Sequence, residues 1–327
     1  GVDFGFFNQR LTGSFDYYYK KTNDILVQTP YIAAMGEGGE PWVNGASMNN
    51  QGVEFTVSFK SDPSSEFQWA VSANIGTYKT ELTDLPSNVI NKYAGDGVHD
   101  LILGRSPNSA YGLVADGIFK TQEEVDAHAD QPGKAVGRIR YKDLDGDGVI
   151  NETYDRTWIG CYDPDFFGGL NFDFAYKGFD LNLFFEGMFG NDVNSDWKKE
   201  SDIWLFTNPA WKNHATRMLG GWSPDNPNSD IPAISNNTAN QEQRFSSWFI
   251  EDGSYIKLRN IELGYTFPTK LIKKMHMSNL RLYAAAYNVF TLKKFWGDDK
   301  YTSFDPERPS YHYLTPFTFN FGINVSF

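Results

Sequence analysis

Cysteine is almost absent. Cys161 stands alone among 327 residues, which excludes an intramolecular disulfide framework. Long apolar runs are missing as well: no stretch approaches the roughly 20 residues of a membrane-spanning helix, and mean hydropathy is -0.48. Basic residues are outnumbered, 29 Lys and Arg against 41 Asp and Glu, for a net charge of -12. That balance argues against nucleic acid as a partner. Catalytic signatures are missing too. His99, His128, His214, His276 and His312 are scattered without metal-binding spacing, and no Ser/His/Asp grouping or Cys pair is present. The GEGG at 36–39 follows no strand-to-helix pattern and reads as a loop. The expectation is a protein that is not an enzyme. No signal peptide is visible at Gly1.

Aromatic side chains, by contrast, are abundant: 27 Phe, 18 Tyr and 9 Trp, 17% of the chain. Their placement is periodic. The final segment, FTFNFGINVSF, puts Phe317, Phe319, Phe321, Ile323, Val325 and Phe327 at alternate positions. Thr318, Asn320, Gly322, Asn324 and Ser326 fill the positions between them. A period of two is a strand with one apolar and one polar face. A soluble sheet seldom ends on its most apolar strand, because termini and edges fray. A closed membrane barrel can, since closure makes the last strand interior, and its strands run about 9–11 residues with apolar side chains toward lipid. Phe327 is the candidate assembly signal at the end of that strand.

The same rhythm recurs along the chain. Val2, Phe4 and Phe6 alternate before a turn at 8–10; Leu11, Gly13, Phe15, Tyr17 and Tyr19 follow. Val53 to Phe59 and Phe67 to Ile75 flank a short turn at 61–65 containing Pro63. Leu170 to Tyr176 and Leu181 to Phe189 flank Lys177-Gly178. Further strands are expected over about 255–267, where Pro268 stops the ladder, and about 280–290. Connections alternate in length: short at 8–10, 61–65, 177–178 and 268–279, long over about 21–50, 79–165, 191–253 and 291–315. Segregated short turns and long loops are the topology of an outer-membrane barrel, with the long loops outside. Nine strands are expected, the last running inward and the first starting outside. Because bacterial single-chain barrels have even strand numbers, sequence upstream of Gly1 is expected in the whole protein. A soluble or surface β-sandwich that binds glycans is the competing reading, since sandwiches alternate too.

Several stretches resemble one family: GVDFGFFNQRLTGSFDYYYKKTNDIL, NNQGVEFTVSF, GRIRYKDLDGDGVIN, GGLNFDFAYKGFDLNLFFEGMFGNDV, SYIKLRNIELGYTFP, LRLYAAAYNVFTL and the terminal FTFNFGINVSF. In this order, they are similar to the SusC/RagA-like TonB-dependent transporters of Bacteroidetes outer membranes. The resemblance implies an all-β fold, an antiparallel transmembrane β-barrel of 22 strands. Residues 1–327 would form about the last nine, as the C-terminal part with long extracellular loops and without the plug domain. It also implies import of an oligosaccharide or a peptide, and a SusD-like lipoprotein over the outer loops. TonB contact would go through the missing N-terminal part, and the assembly would be a dimer of transporter–lipoprotein pairs.

Three groups of residues stand out as candidate sites. Asp143, Asp145, Asp147, Val149 and Asn151 have calcium-loop spacing, with Gly148 at the sixth position. The bidentate acid expected at position 12 is replaced by Tyr154, with Asp155 one residue later. The expectation is a structural Ca2+ pinning an outer loop; the alternative is a solvated acidic turn. Trp197, Trp204 and Trp211, with Trp222 and Trp248, lie in the 191–253 loop. They either stack on sugar rings or pack the loop and a partner. Asp173, Asp180, Asn182 and Glu186 are expected to face the lumen, as conduit lining or as simple wall polarity.

Overall fold

The alternating segments pair as strands in a computed structural model that describes residues 1–28, 41–87, 89, 101–203, 214–235, 239, 241–293, 302–309 and 313–327. In chain order the strands are β1 (Val2–Phe6), β2 (Leu11–Gln28), β3 (Trp42–Lys60), β4 (Phe67–Asp84), β5 (Ser109–Leu113), β6 (Ala115–Ile118), β7 (Ile139–Tyr141) and β8 (Arg156–Cys161). They continue with β9 (Phe166–Tyr176), β10 (Phe179–Phe189), β11 (Asp192–Asn194), β12 (Ile250–Asp252), β13 (Tyr255–Thr266), β14 (Asn279–Lys293) and β15 (Thr318–Ser326). Among the described residues no helix is long and apolar enough to cross a membrane.

Nine of these strands form one antiparallel sheet in the order β1-β2-β3-β4-β9-β10-β13-β14-β15, matching the nine expected. Each wall strand pairs with the next wall strand in sequence, an up-and-down meander rather than two packed sheets, so the sandwich reading is set aside. The Lys177-Gly178 connection shows how short the turns on one side are. Both residues have positive φ, 47° and 87°, the geometry whose twist suits a two-residue hairpin. Gly178 takes it without strain.

Register carries each apolar position onto the next strand. Phe321 stands opposite Ala284, Ala284 opposite Leu263, Leu263 opposite Leu181 and Leu181 opposite Phe174. Phe174 faces Trp69; two residues along on the same face Val71 stands opposite Phe59, Phe59 opposite Leu11 and Leu11 opposite Phe6. The apolar half of every strand therefore lies on one face. That face is open: Phe321 is 79% exposed, and Phe15, Leu263 and Phe67 are exposed with it. A contiguous apolar surface of this extent needs a lipid or protein cover, and a belt on one side of a barrel wall is what a bilayer covers.

The wall strands are longer than the alternation alone suggests. β2, β3 and β4 have 18, 19 and 18 residues, about 60 Å at ~3.3 Å per residue, against a hydrocarbon core of about 30 Å. The stretches 21–28 and 42–50, expected as loop, are paired strand. They do not alternate because above the membrane neither face meets lipid. Side-chain bonds such as Asn50 Nδ2 to Thr80 Oγ1 at 2.6 Å support them.

The buried core lies not in the wall but in the outer loops. Leu113, Ile118, Ile139, Tyr141, Ile150 and Phe249 form one cluster, where β5–β8 fold into small two-stranded sheets. The short strands β5 and β6 lie within the long 79–165 connection and belong to this outer unit, not to the wall. A second cluster, including Val27, Ala46, Leu82 and Ile102, packs loop residues against the tops of β2–β4.

Candidate functional site

Because side chains alternate, the other face of the wall collects the polar residues. Asp173 stands directly opposite Asn182, and Asn182 Nδ2 donates to Asp173 Oδ1 at 2.7 Å and Asn171 Oδ1 at 2.9 Å. Asn260 Nδ2 extends the row to Asn182 Oδ1 at 3.0 Å. Asp180 accepts from Arg281 Nε at 3.1 Å, and Arg281 Nη2 also reaches Glu262 at 2.7 Å. Glu186 accepts from Arg259 Nε at 2.8 Å. All four residues singled out in the sequence thus sit on the face away from the apolar belt. Their cationic partners Arg259 and Arg281 were not singled out, although a cation inside a strand of alternating pattern was the available signal. Arg259 occupies a bulge: Phe184 faces Asn260 and Phe185 faces Leu258, so Arg259 has no opposite number. A bulge re-aims a side chain in this way.

Above this row the last long connection turns back onto the wall. Lys257, only 2% exposed, donates from Nζ to Asp305 Oδ1 at 2.9 Å and to Glu307. Glu307 also accepts from Tyr255 Oη at 3.1 Å and from Arg259. Burial pushes the Glu307 carboxyl up, but bonds from Arg259 and Lys257 outweigh it and hold it below the ordinary glutamate range. Lys293 Nζ donates to the carbonyls of Ser303 at 2.5 Å and Phe304 at 2.9 Å. The segment 302–309 is therefore a strap pinned to the polar face, not a free outer loop.

The outer unit is held by a buried pair, Arg138 Nη1 to Glu242 Oε2 at 2.7 Å, each side chain 6% exposed. Glu242 also accepts from Ile139 N at 2.9 Å. Burial disfavours both charges, pushing Glu242 up and Arg138 down from their ordinary ranges. Tyr141 is pushed up to about 12, chiefly by burial. Trp222 and Trp248 pack against this core, and Trp197 meets Phe304 edge-on with centroids 4.7 Å apart. These tryptophans pack loops together; Trp204 and Trp211 lie outside the described residues.

The acidic loop brings Asp143, Asp145 and Asp147 together, with one carboxylate oxygen of each within 4.8 Å of the others. Asp143 accepts from Gly146 N at 2.7 Å and Gly148 N at 2.9 Å. Slight burial pushes its carboxyl up, yet these amides hold it below the ordinary range. Gly146 and Gly148 have φ of 76° and 83°, which wraps the backbone round the cluster. Val149 donates its N–H to Asp147, and its carbonyl lies 3.5 Å from Asn151 Nδ2. The Asn151 side-chain oxygen accepts from Thr153 N and Tyr154 N. Asp155 is fully buried. Its two oxygens accept from Leu144 N and Asn151 N, each at 2.7 Å, so it clamps the loop ends and is not among the converging carboxylates.

No family model matches the chain. It is 30% identical over 345 residues to TonB-dependent receptor P3 of Formosa agariphila, covering 100% of this chain and 33% of that protein. Against the TonB-dependent receptor SusC of Bacteroides thetaiotaomicron it is 27% identical over 340 residues, 100% of this chain and 31% of the relative. Among solved structures, that of the RagAB peptide transporter superposes with a TM-score of 0.75 at 24% identity, covering 99% of this chain and 34% of that one. The chain spans about a third of the length of the relatives it matches. With its two-faced strand wall and outer loops, the chain is similar over its whole length to the SusC-like TonB-dependent receptors, and its fold is that of a portion of their outer-membrane β-barrel.

Proposed function

We propose that this chain supplies wall, outer loops and lumen lining to an energy-coupled importer that brings an oligosaccharide or a peptide across the outer membrane. The observation that carries the reading is the division of one nine-stranded sheet into a lipid-side apolar belt and a hydrogen-bonded polar face. A polar row including Asp173, Asp180, Asn182 and Glu186, roofed by the 302–309 strap, suits the wall of an aqueous conduit. The relatives support import: one is named TonB-dependent receptor SusC, and a solved structure of similar fold is described as a peptide transporter. In this reading a SusD-like lipoprotein sits over the outer loops, TonB contact comes from parts of the protein beyond these residues, and transporter–lipoprotein pairs dimerise. The Asp143–Asp147 loop holds a structural Ca2+ that stiffens the outer unit. Its support is the convergence of three carboxylates in a loop with two left-handed glycines.

The test is uptake by cells carrying the full-length protein, using labelled oligosaccharide and peptide pools, with and without a protonophore. Accumulation that collapses on de-energising supports the reading. Uptake equal to that of a deletion strain for both pools contradicts it.

A further inference from the structure

At the outer end of the polar face lies a cavity of about 570 Å3 lined by Tyr162, Met188, Asn191, Asp192, Asp196 and Tyr255, completed by the 306–309 end of the strap. Its charge is not balanced. Lys257 and Arg259, the cations that meet the strap's carboxylates, are committed to Asp305, Glu307 and Glu186. Asp192 accepts only a backbone amide, Cys161 N at 2.8 Å, and Asp196 accepts from the neutral Asn194 side chain at 3.3 Å. Neither forms an ion pair among the described residues.

A second observation is independent of the acids. Asn191 is 6% exposed, and its side-chain oxygen has no hydrogen-bond partner while the residue lines the cavity. A buried acceptor left unmade is costly, and a donor entering the cavity relieves it. The surrounding fields agree: burial, with Asp252 and Asp165 nearby, pushes the Asp192 carboxyl up. Burial followed by Asp192 and Asp196 does the same to the Tyr162 hydroxyl. Each shift is reversed by a positive charge placed among them. The exposed Tyr162 ring offers a face to a cation, whereas the Tyr255 ring already carries Lys257 Nζ 5.5 Å from its centroid; Met188 and Pro306 offer apolar contact to a methylene stem.

We propose that this cavity is a subsite for an organic cation on a short stem, an ammonium or guanidinium group carried by the imported nutrient. The inference rests on the import reading above and narrows its substrate class. Two sources share the chemistry, basic peptide side chains and amino sugars.

Full-length protein purified from outer membranes in detergent, with no energy coupling, is titrated calorimetrically with two probe pairs. One is N-acetyl-Ala-Lys-Ala against the same blocked peptide with an acetylated lysine, so that the lysine ammonium is the only cation that differs; the other is glucosamine trisaccharide against its N-acetylated form. The charged member of at least one pair is expected to bind about tenfold tighter, the scale of one charge-assisted hydrogen bond, and the pair that responds identifies the source. Asp192→Asn with Asp196→Asn, in protein that keeps its heat-modifiable mobility, abolishes the preference. Should that double variant not assemble, Asp196→Asn alone is read instead and lowers the preference about threefold. Equal binding of charged and acetylated probes in both pairs overturns the proposal, as does a preference that survives the substitutions. Because binding is measured without energised uptake, a failed import assay beside an intact preference counts against import and not against the cavity.

Discussion

Lys257 and Asp305 join the barrel wall to the connection that precedes its last strand, Nζ to Oδ1 at 2.9 Å, with the lysine all but excluded from solvent. Removing one partner of a buried pair leaves an uncompensated charge, a loss of about 3–5 kcal/mol. Lys257→Met is therefore expected to release the strap. Limited proteolysis of outer membranes should nick the variant within 302–309 faster than the parent. Equal nicking rates would show that the remaining contacts of Lys293 and Ser195 hold the strap without Lys257.

Phe321 and Ser326 share a strand but face opposite sides. Phe321→Lys places a charge against lipid and is expected to cost about 2–4 kcal/mol near the bilayer midplane, seen as lost assembly or lost heat-modifiable mobility. Ser326→Lys should assemble at nearly the parental level. Equal defects would mean the facing assignment is wrong.

Glu242→Ala strands the Arg138 guanidinium in the outer unit, a cost of about 3–5 kcal/mol. Hydrogen exchange of the β7 amides should accelerate while the wall strands stay protected. Arg138→Met with Glu242→Leu should restore slow exchange at the β7 amides other than Ile139, whose N–H loses its acceptor, because an apolar replacement of both charged partners is close to neutral. If the double change exchanges as fast as the single one, packing rather than the stranded charge is responsible.

Asp145→Asn with Asp147→Asn removes two of the three converging carboxylates. The parent is expected to melt at a higher temperature in calcium than in chelator, and the variant to show no such difference. Parent protein indifferent to chelator would leave the loop as a solvated turn.

The wall was legible because lipid on one side and water on the other impose a strict period of two, and Phe317 to Phe327 displays it without interruption. The four polar residues of the β9–β10 hairpin followed from the same parity. What escaped was whatever parity does not govern. The bulge at Arg259 shifts register by one residue, and nothing in SYIKLRNIELGY announces it. The strap depends on Lys257 meeting Asp305 across 48 residues of sequence. The strand extensions at 21–28 and 42–50 lack alternation because they stand above the membrane, so they read as loop. Asp155 sat close to the twelfth position of the acidic loop and drew a metal reading, whereas its oxygens are taken by two backbone amides.

The most direct test of the two-faced wall is a nitroxide scan of β15 in native outer membranes carrying the full-length protein, one label per residue from 318 to 325. Accessibility to oxygen should peak at 319, 321, 323 and 325, and accessibility to a water-soluble relaxant at 318, 320, 322 and 324. The two profiles should run out of phase with a period of two. Profiles in phase, or water access at Phe321, would contradict a lipid-facing barrel wall.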